Sequence, residues 1–427
     1  MNKNTVQNQI NGLLIFHIFP PVFNVATLRF ISIAKFLHLN KIRINVLTTK
    51  PRKNDYVDLS RRNEIPKDVF VCRVFALDSK RDLSVRGKHF AFMAYPDHLV
   101  AWIIPAVIAG CKMIKNHQAQ FVLCSYPFPS TCITGVILSA IFKIPLITDF
   151  RDPMVQIGYP SDRIKRKLWK ILEKLIIKKS YQIIFNTSKM KDYYLERYEF
   201  LDASDCHVIR NGFFEEDFSM VKNRSDTKTE QKKTIYIHAG TIYDGERDPR
   251  TLIKGIALLC DGKISAQGFR EFQIHFYGSG NDELVNEYKE LVNDYGLSDI
   301  ILFFPRVSHK KMIEIMLASD VLLLIGGAKN WDMQIPAKFY EYLRIRKPIL
   351  SISSETSELT ELIKTLNAGY VAPYESPELI KNVFSELNFK ISNNHVLNII
   401  SENNIKSFSR DVQLKKLDKI IRNCLRQ

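Results

Sequence analysis

The 427-residue chain is predicted to fold as two α/β domains, each built on a doubly wound parallel sheet. Apolar runs of strand length alternate with segments of helical period along the whole chain. A polar segment without periodicity, residues 215–233, interrupts the alternation near its middle. We therefore predict an N-terminal domain at 1–214, a linker at 215–233, a C-terminal domain at 234–395, and a helical segment at 396–427 that could pack back on the N-terminal domain.

The predicted strands are short apolar runs. In the N-terminal domain they are LLIFHIF, RINVLTT, VFVCRVF, FVLCSYP, PLITDF, YQIIFNT and CHVIRN, with helices near 26–38, 97–115, 130–142, 161–179 and 188–198. In the C-terminal domain they are TIYIHAG, FQIHFYG, IILFFP, VLLLIGG, PILSIS and GYVAPY, each followed by a helical segment. Helices between successive strands are typical of parallel sheets, because a parallel strand pair needs a crossover connection.

Residues 116–142 contain no Lys, Arg, Asp or Glu, a length that could span a bilayer. The segment YPFPST at 126–131 breaks this run with two prolines. We therefore interpret it as a buried strand, a turn and a helix that opens at Ser130, in preference to a membrane span.

The seven cysteines are odd in number, widely scattered, and include no C-x-x-C pair. This spacing is typical of reduced thiols in a cytosolic protein and does not fit a zinc site or a disulfide framework. Near the N-terminus, a single Lys precedes an apolar run of only seven residues, which is too weak for a signal peptide. A cytoplasmic location is expected.

The formal net charge of +16 is confined to one half of the chain. Residues 1–214 hold 32 Lys and Arg against 16 Asp and Glu, whereas residues 215–427 hold 29 of each. Domains of such different charge are expected to meet different partners. The densest basic segment, 161–180, has eight Lys and Arg on a helical pattern. Its apolar stripe is predicted to be Ile164, Leu168, Leu172, Leu175 and Ile176.

Three interpretations of this basic helix stay open. It can be an ordinary solvated helix, or it can dock on anionic phospholipid through Lys165, Arg166 and Lys170, since each basic residue near such a surface adds about 1 kcal/mol of binding free energy. Nucleic acid is the least favoured partner, because no recognised binding module accompanies the charge. The second interpretation predicts a peripheral location on the inner face of the cell membrane.

Several polar residues follow predicted strands and are candidates for a binding site. Gly278 and Gly280, in YGSGNDEL, lie between a strand and a helix as in a phosphate loop, although a plain tight turn is equally consistent. Arg247 precedes a helix, and its guanidinium could bind a diphosphate through bidentate hydrogen bonds or face solvent. In DFRDPM, the carboxylates of Asp149 and Asp152 flank Arg151 and could orient a sugar hydroxyl or accept its proton, or the three residues could form an ion-pair network that fixes the loop.

The stretch QIPAKFYEYLRIRKPILSI, 334–352, places two opposite charges in an apolar helix. Pro336 suits the first turn and Pro348 starts the next strand. A helix that begins there offers free backbone N–H groups and the positive end of its dipole to a diphosphate. Lys338 would add a cation, and Glu341, one turn on, could accept two hydrogen bonds from a ribose diol. The alternative is an i,i+3 surface pair.

Taken in order, these segments resemble the retaining family 4 glycosyltransferases of GT-B fold that build bacterial surface polysaccharides. The resemblance covers nearly the whole chain. It rests on FPP with the helix containing Arg29, then PDHLVAW, DFRDP, VIRNGF, AGTIYDGERDP, YGSG, ASDVLLL and PAKFYEYLRIRKPIL, in the P-x-K-x-x-E-Y branch of the family.

The resemblance implies two Rossmann-like domains that face a cleft, and sugar transfer from a nucleotide-sugar donor to a lipid-linked or glycan acceptor. It implies no metal and no cofactor. Glu341 matches the glutamate that binds the donor ribose, Lys338 and Arg247 match basic residues near the diphosphate, and Gly278 and Gly280 match the glycine turn. Asp152 and Arg151 are the catalytic candidates, with Asp152 expected to position the acceptor.

The chain departs from the family pattern in three places. Residues 22–27, VFNVAT, replace a Gly-Gly loop, and Met333 stands where many members have a first glutamate. No histidine lies near Ser125 and Tyr126, where many relatives carry one close to the reacting carbon. Two other functions therefore stay open, a GT-B-like binding or scaffold subunit without catalysis and a sugar-nucleotide epimerase.

Overall fold

The computed structural model describes residues 9–52, 55–79, 82, 94–219, 233–245, 247–261, 271–278, 280–327, 331–393 and 400–426. Within these residues it contains two parallel sheets, of seven and six strands. The predicted fold class, α/β with two Rossmann-like domains, is confirmed. Every strand predicted from an apolar run lies in one of these two sheets.

The first sheet has the strand order β3-β2-β1-β4-β5-β6-β7. Its strands are β1 Ile10–Ile15, β2 Ile42–Thr49, β3 Phe70–Val74, β4 Phe121–Ser125, β5 Leu146–Phe150, β6 Gln182–Phe185 and β7 Cys206–Val208. The α-helices between them are α1 Val25–Leu39, α2 Ile103–His117, α3 Pro129–Phe142, α4 Arg163–Lys179 and α5 Ser188–Arg197. Short 3-10 helices lie at Leu59–Glu64, Val100–Trp102 and Ala203–Asp205.

The second sheet has the strand order β10-β9-β8-β11-β12-β13. Its strands are β8 Thr234–Ala239, β9 Phe272–Tyr277, β10 Ile301–Phe304, β11 Val321–Gly327, β12 Ile349–Ser353 and β13 Gly369–Pro373. The helices in this half of the chain are α6 Glu215–Ser219, α7 Arg250–Asp261, α8 Asp282–Asp294, α9 His309–Ala318, α10 Ala337–Ile345, α11 Glu358–Leu366, α12 Pro377–Ser392, α13 Glu402–Ser407 and α14 Arg410–Cys424.

In both sheets the strand order reverses next to the first strand of the unit. β1 lies between β2 and β4, and β8 lies between β9 and β11, with all pairs parallel. Open α/β sheets bind ligands outside the carboxyl ends of the strands at such a reversal. The loops that follow β1 and β4 in one unit, and β8 and β11 in the other, are therefore the first places to look for a site, together with those of the neighbouring strands.

The chain divides into two compact units, Met1–Arg210 with Gln413–Gln427, and Asn211–Val412. The last helix, α14, belongs mostly to the first unit: Leu417 and Ile421 join the core that contains Phe30. Its Lys416 Nζ also donates to the Val208 carbonyl at 3.2 Å. Of the predicted linker, residues 220–232 lie outside the described residues, and α6 is fastened to the second unit by an ion pair between Glu215 and Arg344.

The uncharged run at 116–142 forms part of the buried core. β4 is a central strand, all of whose residues are buried, and α3 begins at Pro129 with buried Thr131 and Leu138. Among the described residues, no helix is both long enough and apolar enough to cross a bilayer.

Candidate functional site

In the second unit, α10 is fastened to the carboxyl end of the sheet by one tyrosine. The hydroxyl of Tyr342 accepts a hydrogen bond from the Ala239 N–H at 3.0 Å and donates to the Leu323 carbonyl at 3.2 Å. Phe339 and Leu343 are buried beside it. This packing fixes the helix against β8 and β11, so the positions of its remaining residues are set relative to the loops that follow those strands.

The first turn of α10 has free backbone donors. Pro336 precedes the helix without a side-chain hydrogen bond to it, and no acidic residue occupies the first turn. By contrast, α8 starts with Asp282 and Glu283, and the Asn281 side chain accepts from the Glu283 N–H at 2.9 Å. Carboxylates already compensate the dipole of α8. Of these two helix starts, only that of α10 suits an anionic ligand.

Lys338 lies directly over the end of β8. A Cβ atom added to Gly240 would come within 2.2 Å of the Lys338 Nζ and 2.3 Å of its Cε. Gly240 also has φ +130, a conformation that L side chains rarely adopt. Glycine at this position therefore makes the room that the lysine side chain fills.

Burial is the main reason why the pKa of Lys338 is lowered to about 8, with the positive charges of Arg247 and Arg306 adding to this effect and Glu341 opposing it. Arg306 follows β10 and lies beside Gly278, with its Cα 3.7 Å from where a Cβ of that glycine would be. The backbone N–H of Arg247 donates to the Tyr243 carbonyl at 3.1 Å. Three cationic side chains thus lie near the ends of β8, β9 and β10.

Glu341, one turn further along α10, is held by a histidine. His309 Nε2 lies 3.3 Å from Glu341 Oε1, and His309 Nδ1 lies 3.7 Å from Asp217 Oδ2. Burial opposes ionisation of Glu341, but the hydrogen bond and charge of His309 and the charge of Lys338 outweigh it and lower the pKa of the carboxyl. The hydrogen bond to Glu341 raises the pKa of His309. Glu341 is therefore an ionised acceptor.

His238, in β8, is a buried neutral imidazole behind this cluster. Its Nδ1 lies 3.1 Å from the Leu323 carbonyl and must carry the proton, because a carbonyl oxygen only accepts. Burial and the charges of Lys338 and Arg247 lower the pKa of His238 to about 3. Its Nε2 is buried and has no hydrogen-bond partner within the described residues.

Both glycines of the predicted turn adopt a backbone conformation that favours glycine, as either a phosphate loop or a plain tight turn would require. Gly278 and Gly280 have φ +69 and +110, both in the region that favours glycine. A Cβ on Gly280 would come within 3.0 Å of the Thr241 Cγ2. Ser279 between them lies outside the described residues.

The structure places Lys338, Glu341, Arg247 and Gly278, which the sequence analysis singled out, in one unit. It adds two residues that sequence reasoning missed, Arg306 and His309. Both follow β10 in the segment PRVSHKK, so the rule that ligands bind beyond the carboxyl ends of strands could have indicated them.

In the first unit, Asp149 and Arg151 of DFRDPM have different partners. Its two oxygens accept from Arg29 Nε at 3.0 Å and Nη2 at 2.6 Å, and Ser125 Oγ donates to it at 3.0 Å. Arg151 turns instead towards Phe30, with its Cζ 5.5 Å from the ring centroid. Of the two interpretations of this motif, the ion-pair network therefore applies to Asp149, with Arg29 as its partner.

The basic helix α4 presents a different face from the predicted one. Its buried residues are Trp169, Glu173, Ile176 and Ile177, whereas Ile164 is 67% exposed and Leu175 is 42% exposed. The prediction that the apolar stripe of α4 packs inward is therefore wrong at Ile164 and Leu175.

The three basic residues predicted for the membrane side of α4 have different surroundings. Lys165 Nζ lies 4.8 Å from the Trp169 ring centroid, and Arg166 Nε donates to the Pro160 carbonyl at 2.6 Å. Lys170 is exposed. Of the three, Lys170 is therefore the residue whose charge is exposed to solvent.

No family model matches the sequence, and no curated protein matches it. Solved structures match over almost the whole chain. Sucrose-phosphate synthase from Thermosynechococcus elongatus is 12% identical, with a TM-score of 0.65 over 97% of this chain and 99% of that one. WaaG, described as a glycosyltransferase involved in lipopolysaccharide biosynthesis, is 14% identical, with a TM-score of 0.59 over 96% and 99%.

A putative UDP-N-acetylglucosamine 2-epimerase from Listeria monocytogenes is 11% identical, with a TM-score of 0.58 over 98% of this chain and 97% of that one. Identities this low carry the fold and not the activity. The chain has the two-domain GT-B fold that glycosyltransferases share with sugar-nucleotide epimerases.

Proposed function

We propose that the protein is a glycosyltransferase that passes a sugar from a nucleotide-sugar donor to an acceptor, with retention at the anomeric carbon and without a metal ion. The acceptor is a glycan, carried on a polyprenyl diphosphate, in the synthesis of a bacterial surface polysaccharide. The observation that carries the proposal is the cationic cluster of Lys338, Arg247 and Arg306 at the start of α10, with Glu341 one turn further.

The cluster suits the diphosphate of a nucleotide-sugar. The free N–H groups of α10 and the charge of Lys338 meet one phosphate, and the two guanidinium groups can bind the other in bidentate fashion. When the sugar departs, negative charge develops on the diphosphate, and charges already in place stabilise it without reorganisation. These side chains thus do the work that a divalent metal does in other transferases.

Glu341 supports the nucleoside part of the assignment. It is ionised and partly exposed, with 27% of its side chain accessible, and its Oε1 is oriented by His309. A carboxylate accepts several hydrogen bonds, so Glu341 can accept from both hydroxyls of a ribose diol. Its distance of one helical turn from Lys338 is consistent with a ribose next to a diphosphate.

Two other functions compete with transfer. The similarity to a putative UDP-N-acetylglucosamine 2-epimerase favours an epimerase, which would convert the donor without any acceptor. Met333, at the position of the first family glutamate, favours a binding subunit that has lost catalysis. The cationic cluster is compatible with an epimerase. A binding subunit has no leaving group to stabilise, so the cluster does not favour that function.

A panel of UDP-, GDP- and dTDP-sugars, screened by thermal shift and then incubated with the protein, separates the three functions. A transferase is stabilised by its nucleoside diphosphate product and, on mass spectrometry, slowly hydrolyses the matching donor or transfers its sugar. Conversion of a lone donor into its epimer would instead show an epimerase. The absence of any thermal shift with the whole panel would contradict both enzymatic functions.

Nucleoside diphosphate affinity is expected to fall as the pH rises from 7.5 to 9.5, because Lys338 loses its charge around its pKa of about 8. Lys338→Arg keeps the charge over this range and should flatten the profile. Lys338→Met should bind about 10–100-fold more weakly at pH 7.5, the value of one charged hydrogen bond. Calorimetric titration at each pH measures these affinities.

The matched control for this titration is Lys364→Met. Lys364 is an exposed lysine in the last turn of α11, and its loss should leave affinity unchanged. If Lys338→Met bound nucleotide as well as the unchanged protein, the assignment of Lys338 to the diphosphate would be wrong.

Gly240→Ala is expected to weaken nucleotide binding at least tenfold, because a Cβ there collides with the Lys338 ammonium. Gly245→Ala is the control: this glycine also has a positive φ, +72, but a Cβ there would meet nothing within 4 Å. Both variants incur the backbone cost of about 1 kcal/mol. Only the first displaces the lysine, so equal affinities in the two variants would contradict the arrangement.

Membrane docking through α4 is the second part of the proposal. Ile164 and Ile171 are 67% and 66% exposed, and with Leu175 they form an apolar stripe on the solvent side of the helix. α4 carries five exposed lysines around this stripe: Lys167, Lys170, Lys174, Lys178 and Lys179. An exposed apolar stripe between lysines is typical of helices that lie in the headgroup region of an anionic bilayer.

Sedimentation with vesicles tests this docking. Replacing Lys167, Lys170 and Lys174 by Glu should abolish binding to vesicles containing 30% phosphatidylglycerol, since about 1 kcal/mol is lost for each charge. A control with the same charge change replaces exposed lysines of the second unit by Glu: Lys289, Lys310 and Lys364. Ile164→Ser with Ile171→Ser should weaken binding while the net charge stays constant. Equal binding of both triple variants would assign α4 to an ordinary solvated surface.

A further inference from the structure

We propose that the first unit binds a phosphoryl group in a site built from Arg151 and His17, beyond the carboxyl ends of β5 and β1. The proposal deepens the proposed function and rests on it in one respect, since it makes this phosphoryl group part of the acceptor. Nucleotide binding in the second unit neither requires this site nor supplies it.

Two buried polar atoms carry the inference. Within the described residues, Nη1 of Arg151 and Nδ1 of His17 are buried and have no hydrogen-bond partner. The whole His17 side chain is only 5% exposed. Buried polar atoms in proteins are nearly always paired, and unpaired ones gather where a ligand supplies the partner.

The two side chains share one aromatic wall. The His17 ring centroid lies 5.7 Å from that of Phe30 and 4.5 Å from that of Phe128, both in edge-on geometry. The Cζ of Arg151 lies 5.5 Å from the centroid of the same Phe30 ring. His98 approaches Phe128 from a further side, at 4.9 Å. The reversal of strand order lies between β1 and β4, and β5 is the next strand, so the residues that follow these three strands lie at or beside the reversal.

The charges around the site favour an anion. Burial, and then the charges of Arg151, His98 and Arg52, hold the pKa of His17 well below its usual value, so its imidazole is neutral. A neutral imidazole can donate from Nδ1 to a phosphoryl oxygen.

The nearest carboxylates are already engaged. Asp149 is paired with Arg29, and Asp78 accepts from Arg52 at 2.8 Å. Asp97 accepts from the N–H and hydroxyl of Ser130 at 2.7 and 2.9 Å. Asp152 attracts Arg151 electrostatically but is not bonded to its Nη1. Arg151 therefore keeps donor capacity for a phosphoryl group, which guanidinium binds in bidentate fashion.

The test uses the full-length protein with Lys338→Met as background, so that anion binding in the second unit is weakened. Calorimetric titration with geranyl diphosphate and with glucose 6-phosphate should show binding of at least one. Adding Arg151→Gln should weaken that binding about 10–100-fold, as expected for one charged hydrogen bond. Tighter binding of the first ligand would assign the phosphoryl group to a lipid carrier, and of the second to a soluble sugar.

Two further variants separate a binding role from a structural one. Arg151→Lys should restore part of the affinity, and His17→Gln should weaken it with an unchanged thermal melting point. Binding that survives Arg151→Gln in a folded protein, or no binding of either ligand to the Lys338→Met background, would overturn the site. If binding of these ligands depends on Arg151 but the protein without substitutions shows no thermal shift with any nucleotide, the site is kept and the proposed function is rejected.

Discussion

A buried ion pair between Arg29 and Asp149 sets the arrangement of the carboxyl edge of the first sheet. The two side chains are 6% and 1% exposed, and two hydrogen bonds join them. Arg29 Nη2 also donates to the Ile209 carbonyl at 3.1 Å, so a residue of α1 holds the ends of β5 and β7 together. Such a pair contributes little net stability, since both charges lose their hydration. Its effect is positional: it engages Asp149 and leaves Arg151, two residues on, to point elsewhere.

The second unit positions its charges by different means. Tyr342 fastens α10 to two strands through backbone groups, and Gly240 makes the room in which Lys338 lies. The lysine remains ionisable close to neutral pH because Glu341 offsets part of the burial and the repulsion from Arg247. The ammonium of Lys338 is thus partly desolvated on folding and held in place before any anion binds, and charges that are already in position stabilise an anion without reorganisation.

The fold could be read from the sequence because buried parallel strands are continuous apolar runs, and their helices separate them in order. The cluster of Arg247, Gly278 and Lys338 could be predicted for a similar reason, since each of these residues lies in a loop or helix that follows a strand. The pairing of Arg29 with Asp149 could not, because the two are 120 residues apart and nothing in their spacing connects them. Arg306 and His309 follow a strand too, but no motif marked them.

The face of α4 was misassigned for a specific physical reason. Periodicity counts Glu173 as an outward residue, yet its side chain is fully buried. It accepts hydrogen bonds from Tyr198 at 2.6 Å, Tyr194 at 2.9 Å and the Val155 N–H at 2.9 Å. A buried carboxylate with this many donors turns the helix so that Trp169 faces inward and Ile164 faces out. The same orientation that buries Glu173 among its donors therefore leaves an apolar stripe exposed among the lysines of α4.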